Sequence, residues 1–316
     1  MKVIITDCDH ENIDTEKKIF SDAGISCELK NAKTEDEVIE MCKGAEIFIV
    51  QYAKITEKVM EALPELKFVV RYGVGVDTVD VKAATKHGIQ IGNVPDYGMN
   101  EVADQALALT LAFARKIITM NEYTKLVKWD YSKSIPVRRL SQQTVGIVGI
   151  GRIGGNYAKK AAALGFNVIG YDPLFVQTKD NTYVTPVSFD ELIEKSDIIS
   201  IHCPSDGNKY LFDKEIFKKM KKSAVLINVA RGGIINEKDL DEALKHGEIA
   251  GAGLDCMESE PMRPDSEIFK NKNLIVTPHM AWYSEESALE LKRKVAEESV
   301  RFANGNPIHY PINNLK

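Results

Sequence analysis

Arg231, Glu260 and His279 have the side chains needed for proton transfer on a small anionic molecule, and each stands at or just past the end of an apolar run. The first sits in Asn228-Val229-Ala230-Arg231-Gly232-Gly233, the second in Asp255-Cys256-Met257-Glu258-Ser259-Glu260-Pro261, the third in Thr277-Pro278-His279-Met280-Ala281-Trp282. An imidazole changes charge near neutral pH and suits a general acid or base. A carboxylate set against it orients the ring and favours its protonated form. A guanidinium is a planar, permanently charged donor, suited to a carboxylate or a polarised carbonyl. Singly, each has a plainer explanation: a structural histidine, a surface ion-pair partner, a solvated loop acid. Together they form a candidate catalytic set. His10, His87, His202, His246 and His309 lack such company and read as structural or surface residues.

A second feature lies upstream. Thr144-Val145-Gly146-Ile147-Val148 is an apolar strand that runs into Gly149-Ile150-Gly151-Arg152-Ile153-Gly154. This is the G-x-G-x-x-G arrangement, in which the first glycine permits the tight turn, the second lets a pyrophosphate approach the backbone, and the third lets the helix pack on the strand. The N–H groups at the start of that helix face the phosphates. A second strand, Asn167–Tyr171, ends at Asp172. An acid there accepts hydrogen bonds from the adenosine ribose and repels a 2′-phosphate, and no Arg or Lys follows in Pro173-Leu174-Phe175. The expected cofactor is therefore NAD(H) rather than NADP(H), with Gly149, Gly151, Arg152, Ile153, Gly154 and Asp172 in contact with it. No metal-ligand spacing is present.

The elements that position these residues follow from alternation. The chain has 316 residues, enough for two domains, with 44% hydrophobic and 28% charged residues. Apolar runs at Val3–Thr6, Glu46–Val50, Phe68–Tyr72 and Ile89–Ile91 alternate with helical stretches at Thr34–Cys42 and Thr56–Leu63. Such alternation predicts a parallel sheet covered by helices. After Asn93-Val94-Pro95, one long apolar helix is expected from Asn100 to about Tyr123, buried between domains or subunits. Further strands read at Ile198–His202, Ala224–Asn228, Ile249–Asp255 and Leu274–Thr277, and a charged helix at about Ser284 to Asn304 should return to the first unit. The expected fold is α/β: two doubly wound parallel-sheet domains, with a Rossmann NAD-binding domain (99–283) inserted into a flavodoxin-like substrate domain (1–98 plus 284–316). A net charge of −5 gives no reason to expect nucleic acid, and no run approaches membrane-spanning length. Five scattered cysteines without a CxxC, and no signal-peptide pattern at Met1, lead to an expected cytoplasmic location.

With its glycine turn, its N-x-x-R-G arginine, its glutamate before proline and its T-P-H histidine in this order, the chain resembles the D-isomer-specific 2-hydroxyacid dehydrogenases over nearly its whole length. Phosphoglycerate dehydrogenase-like members share the pattern. Pro278-His279-Met280-Ala281-Trp282-Tyr283-Ser284 is most similar to the C-terminal binding protein branch, although neither a long tail nor a carboxyl-terminal regulatory domain is expected. The resemblance implies an NAD-dependent dehydrogenase or 2-oxo acid reductase with His279 as acid/base, Glu260 as its partner and Arg231 on the substrate. It implies that Arg71-Tyr72-Gly73-Val74-Gly75-Val76-Asp77 is the substrate-carboxylate loop, with backbone N–H groups of Val74 and Gly75 as donors. It places Asp255 at the nicotinamide carboxamide, His202, Cys203 and Pro204 near the adenine or ribose, and Val229, Ala230 and His279 beside the cofactor. Tyr52, within Gln51-Tyr52-Ala53-Lys54, is expected to affect substrate choice; Trp282 either walls the substrate or packs a domain interface. Candidate substrates are glycerate/hydroxypyruvate, 3-phosphoglycerate and larger 2-oxo acids, and Lys54, Arg71 and Arg138-Arg139 are possible phosphate partners. The expected assembly is a homodimer through the long apolar helix. The competing function is an NADH-sensing binding protein with incidental catalysis.

Overall fold

The computed structural model describes residues 1–315. The chain forms two compact units, Met1–Gly98 with Ser284–Lys316, and Met99–Tyr283.

The first unit runs β1 (Lys2–Ile5), α1 (Asp14–Asp22), β2 (Ser26–Leu29), α2 (Glu35–Met41), β3 (Ile47–Val50), α3 (Glu57–Ala62), β4 (Phe68–Arg71), α4 (Val81–Lys86) and β5 (Gln90–Gly92). All five strands are parallel, in the order β2-β1-β3-β4-β5, which is the flavodoxin-like doubly wound order. The central strand β3 reads Ile-Phe-Ile-Val and is buried throughout, as a strand covered by helices on both faces must be. Thr34 caps α2 by accepting from the Glu37 N–H while the Glu37 carboxylate accepts from the Thr34 N–H. The edge strand β2 (Ser-Cys-Glu-Leu) is half-exposed and carries no apolar run, so it adds to the four strands expected for this unit.

The second unit opens with α5 (Met99–Ala114) and α6 (Ile117–Lys125) and continues β6 (Thr144–Val148), α7 (Arg152–Ala163), β7 (Asn167–Tyr171), β8 (Thr185–Pro186), α8 (Phe189–Lys195), β9 (Ile198–Ile201), α9 (Lys214–Lys219), β10 (Val225–Asn228), α10 (Glu237–His246), β11 (Gly251–Leu254) and β12 (Leu274–Val276). The seven strands are parallel in the order β12-β11-β10-β9-β6-β7-β8. The chain winds outward from β6 to β8, then returns beside β6 and winds the other way, so the strand order reverses between β6 and β9. This is the Rossmann topology, and ligands of such sheets bind at the carboxyl ends beside that reversal.

The single long helix expected from Asn100 to Tyr123 is instead two. Lys116 adopts a left-handed φ of 51° between α5 and α6. The ladder of backbone hydrogen bonds cannot continue through that conformation. α5 buries Ala103, Ala106, Leu109 and Thr110, whereas α6 buries nothing within the chain. The final helix, α11 (Glu285–Ala303), begins at a Ser284 cap and belongs to the first unit, where it packs on α1. No helix of the described residues is long and apolar enough to cross a membrane.

Candidate active site

Because every strand of the second sheet runs the same way, the turns that follow β6, β7, β9, β10, β11 and β12 emerge along one edge. Those turns hold the second unit's cofactor and catalytic candidates named above.

The β6–α7 turn is shaped by its glycines. Gly149 has φ 92°, and a Cβ there would stand 2.7 Å from the Cys203 nitrogen. A Cβ on Gly154 would stand 2.0 Å from the Gly149 carbonyl oxygen. These two glycines are therefore required by the fold itself. Gly151 differs, because a Cβ there would meet nothing within 4 Å. Nothing in the chain forbids a side chain at Gly151, so the need for glycine comes from what approaches it. An open cradle at the N-terminus of a twelve-residue helix fits a pyrophosphate. Asp172 braces the same turn: one carboxylate oxygen accepts from the Ile150 N–H at 2.8 Å and the other from the Leu174 N–H at 2.8 Å. Arg152 and Ile153 begin α7.

His202 turns its ring inward. Its Nε2 lies 2.8 Å from Ser200 Oγ, its ring packs on Tyr157 at 5.1 Å, and Tyr157 in turn bonds Thr110. Burial without a charged partner lowers its pKa to about 3, which makes it a neutral structural histidine. What lies beside Gly149 is the backbone of 202–203, with Cys203 half-buried and Pro204 exposed.

The catalytic candidates converge at the ends of three neighbouring strands. His279 Nδ1 stands 2.6 Å from Glu260 Oε2. Glu260 Oε1 accepts from the Met257 N–H at 2.9 Å, which holds the carboxylate across its own turn. Burial pushes the Glu260 carboxyl up, but its hydrogen bond to His279, the imidazolium charge, the Met257 N–H and Arg231 together hold it below the usual carboxylate range. An ionised carboxylate only accepts, so Nδ1 carries the proton and Nε2 is left for a substrate. Arg231 follows β10, its side chain reaching the Ala230 carbonyl at 2.8 Å. Its turn is built by Asn228, which is fully buried, accepts from the Ala230 N–H at 3.0 Å and donates to the Arg231 carbonyl at 2.8 Å. Gly232 lies flush against the acid-bearing turn, since a Cβ there would stand 2.0 Å from the Met257 carbonyl. His279 and Glu260 remain 43% and 38% exposed, open to a reactant.

Asp255 is 2% exposed, and its carboxylate holds the His279 turn by accepting from Thr277 Oγ1 at 2.5 Å, the Met280 N–H at 3.1 Å and the Ala281 N–H at 2.8 Å. Burial nonetheless raises its pKa above the ordinary aspartate value. Val229 is buried and Ala230 half-buried beside it at the end of β10.

Comparison with known proteins decides the family. The family model for "D-isomer specific 2-hydroxyacid dehydrogenase, NAD binding domain" matches residues 107–281. The chain belongs to that family. A D-3-phosphoglycerate dehydrogenase of Archaeoglobus fulgidus is 37% identical over 99% of this chain, which spans 59% of that relative's length. A glycerate dehydrogenase of Methylorubrum extorquens is 33% identical, covering 95% of this chain and 96% of the relative. A crystal structure of D-lactate dehydrogenase from Aquifex aeolicus, complexed with NAD and lactic acid, superposes with a TM-score of 0.88 at 27% identity, covering 96% of each chain. NAD is the cofactor of the second unit's fold.

In the first unit, Tyr52, Val74 and Gly75 stand past the carboxyl ends of β3 and β4. Tyr52 is 57% exposed and donates to Asp9 Oδ2 at 3.0 Å; burial and that acid raise its pKa to about 12, so it stays a neutral phenol. The carbonyl of Val74 is tied down by Asn93 Nδ2 at 2.6 Å. Among the described residues the N–H groups of Val74 and Gly75 have no acceptor, as a carboxylate-binding loop requires. Trp282 is half-buried and packs edge-on against Tyr283 at 5.5 Å. Asn228, Glu237 and Glu258 also shape the site; of these, only Asn228 has a sequence signal, as the first residue of the N-x-x-R-G run.

Proposed function

We propose that the chain is an NAD-dependent D-2-hydroxyacid dehydrogenase acting in either direction between a 2-oxo acid and its 2-hydroxy acid. The observation that carries this reading is the His279–Glu260 pair at 2.6 Å, with Arg231 on the adjoining turn and on the same sheet edge as the glycine cradle.

Gly149, Gly151 and Gly154 would hold the pyrophosphate and Asp172 the adenosine ribose. Asp255 has three hydrogen bonds to the turn, and a carboxylate can accept about four, which leaves room for a carboxamide. Bound there, NADH supplies the hydride to C2 of the acid. His279 Nε2 gives the proton to the carbonyl oxygen, and the Glu260 carboxylate stabilises the imidazolium beforehand. Arg231 draws charge from the carbonyl and pairs with the carboxylate. In the first unit, the unpaired N–H groups of Val74 and Gly75 offer an anion-binding loop of their own. In oxidation the same groups run in reverse: Nε2 takes the hydroxyl proton as the hydride leaves C2.

The relatives named as D-3-phosphoglycerate and glycerate dehydrogenases direct attention to three-carbon acids oxygenated at C3. The working form is inferred to be a cytoplasmic homodimer. Its support is the uncovered apolar surface of Ile117, Ile118, Leu126, Val127, Trp129 and Ile135, of which Val127 is 96% and Trp129 93% exposed. A second copy of the chain would cover it.

The reading is tested by a panel of 2-oxo acids offered with NADH and with NADPH, followed by loss of nicotinamide absorbance. Turnover of at least one acid with a clear preference for NADH is expected. No turnover of any acid, or equal use of NADPH, would overturn it.

A further inference from the structure

We propose that Glu237 and Glu258 form a clasp that positions Glu260 for its bond to His279, which makes Glu237 a positioning residue of the reaction. The inference rests on the reading of His279 and Glu260 as the acid–base pair.

Glu237 is the first residue of α10, just past its Asn236 cap. Its backbone N–H donates to Glu258 Oε1 at 2.8 Å, and the Glu258 N–H donates back to Glu237 Oε1. Each carboxylate thus caps the other residue's backbone. Tyr210, whose ring lies under Lys209, donates to the second oxygen of Glu258 at 3.3 Å. From Glu258 the chain reaches Glu260 in two residues, and Glu260 folds back onto the Met257 N–H. The turn is therefore held at both ends: the clasp ties it to α10, and Gly232 seats its Met257 carbonyl against the Arg231 turn.

The charges make this arrangement costly. Glu237, Glu258 and Glu260 lie within electrostatic reach of one another, Arg231 acts on Glu260, and the Cys256 thiol is buried within reach of Glu237, Asp255, Glu260 and Arg231. Burial raises the Glu237 pKa, and the charges of Glu258 and Glu260 raise it further, against the lowering effect of the Glu258 N–H. A lysine at 237 or 258 would relieve the repulsion but could not accept a backbone N–H. The acid pair makes sense if the turn must be fixed in place and the imidazolium must sit in a negative field.

The test reads the His279 ring directly. Long-range proton–nitrogen spectra of nitrogen-15 histidine, in the NADH-bound protein at alkaline pH, report which ring nitrogen carries the proton. His279→Ala identifies the signal. The wild-type ring should hold its proton on Nδ1, towards Glu260. Glu237→Ala should release it towards the Nε2–H form favoured by a free imidazole and lower kcat about tenfold, with KM for NADH unchanged. Glu258→Ala, at an exposed position, should do the same and carries the test if Glu237→Ala does not fold. Glu237→Gln keeps an acceptor oxygen and should restore both readouts. A ring that stays in the wild-type form in both alanine variants overturns the clasp. If wild type reduces no 2-oxo acid but the ring responds as described, the proposed reaction fails and the clasp stands.

Discussion

Asp255 and His279 are tied to each other through backbone and side chain alike. The His279 N–H donates to the Asp255 carbonyl at 2.8 Å, while the Asp255 carboxylate takes the N–H groups of Met280 and Ala281 and the hydroxyl of Thr277. These bonds hold His279 at a φ of 51°, a left-handed conformation that a non-glycine residue adopts at a cost of about 1 kcal/mol or more. The ring is thereby aimed at Glu260 by a backbone that would not choose this shape unaided.

Asp255→Ala should lower the stability of the second unit by about 2–3 kcal/mol, because the buried Ala281 N–H is left without an acceptor. Turnover should fall further than this loss explains, since His279 is freed from its turn. Urea unfolding and kcat at saturating NADH, measured on one preparation, check both. Retained kcat would show that the turn does not need its buttress.

Alanine at the three glycines should separate fold from ligand. Gly154→Ala forces a Cβ against the Gly149 carbonyl and should cost about 1–3 kcal/mol or more. Gly151→Ala should leave stability within about 0.5 kcal/mol, the Cβ being in open space. It should nevertheless weaken NADH binding at least about tenfold, close to 1.4 kcal/mol. Gly149→Ala should resemble Gly154→Ala. Thermal unfolding and fluorescence titration with NADH distinguish the cases, and unchanged affinity in Gly151→Ala would contradict the assigned cradle.

Stability should fall with acid in a way that His202 accounts for. Its pKa is about 3 when folded and near 6.5 when exposed, so folding favours the neutral ring. A folded pKa below the unfolded one means the contribution is complete above about pH 6.5 and is lost as the pH falls towards 3; it amounts to a few kcal/mol, about 1.4 per unit. His202→Asn should be less stable than wild type at pH 7, and the gap should narrow by a few kcal/mol at pH 4. Urea midpoints at the two pH values measure this. A constant gap would mean that His202 becomes charged without cost.

Glutamate at Leu126 and Val127, which are 66% and 96% exposed, should leave the monomer's stability within about 0.5 kcal/mol of wild type. It should separate the proposed dimer in light scattering. A wild-type protein already monomeric at micromolar concentration would contradict the second copy.

What could be read from the residues followed their physics. The glycine turn and the strands that carry Arg231, Glu260 and His279 at their ends are legible because a tight turn and an apolar run need particular residue types at particular spacings. β2 was not, since an edge strand reading Ser-Cys-Glu-Leu and exposed along one face needs no apolar run. The break at Lys116 was not, because the pattern around it stays helical and a lysine gives no sign of a left-handed φ. Nor was the clasp: Glu237 looks like an ordinary acid in the first turn of a helix, and its partner is a loop residue brought to it only by the sheet. The hold of Asp255 on the His279 turn is not legible either, because it depends on the crossing from β11 to β12.

In the proposed reaction His279 moves the proton while other residues hold the cofactor. Its most direct test measures His279→Ala twice, for NADH binding and for turnover of the best 2-oxo acid. The Kd for NADH should stay close to wild type while kcat falls on the order of 100- to 10,000-fold. Turnover equal to wild type with NADH still bound would mean that the proton comes from another group.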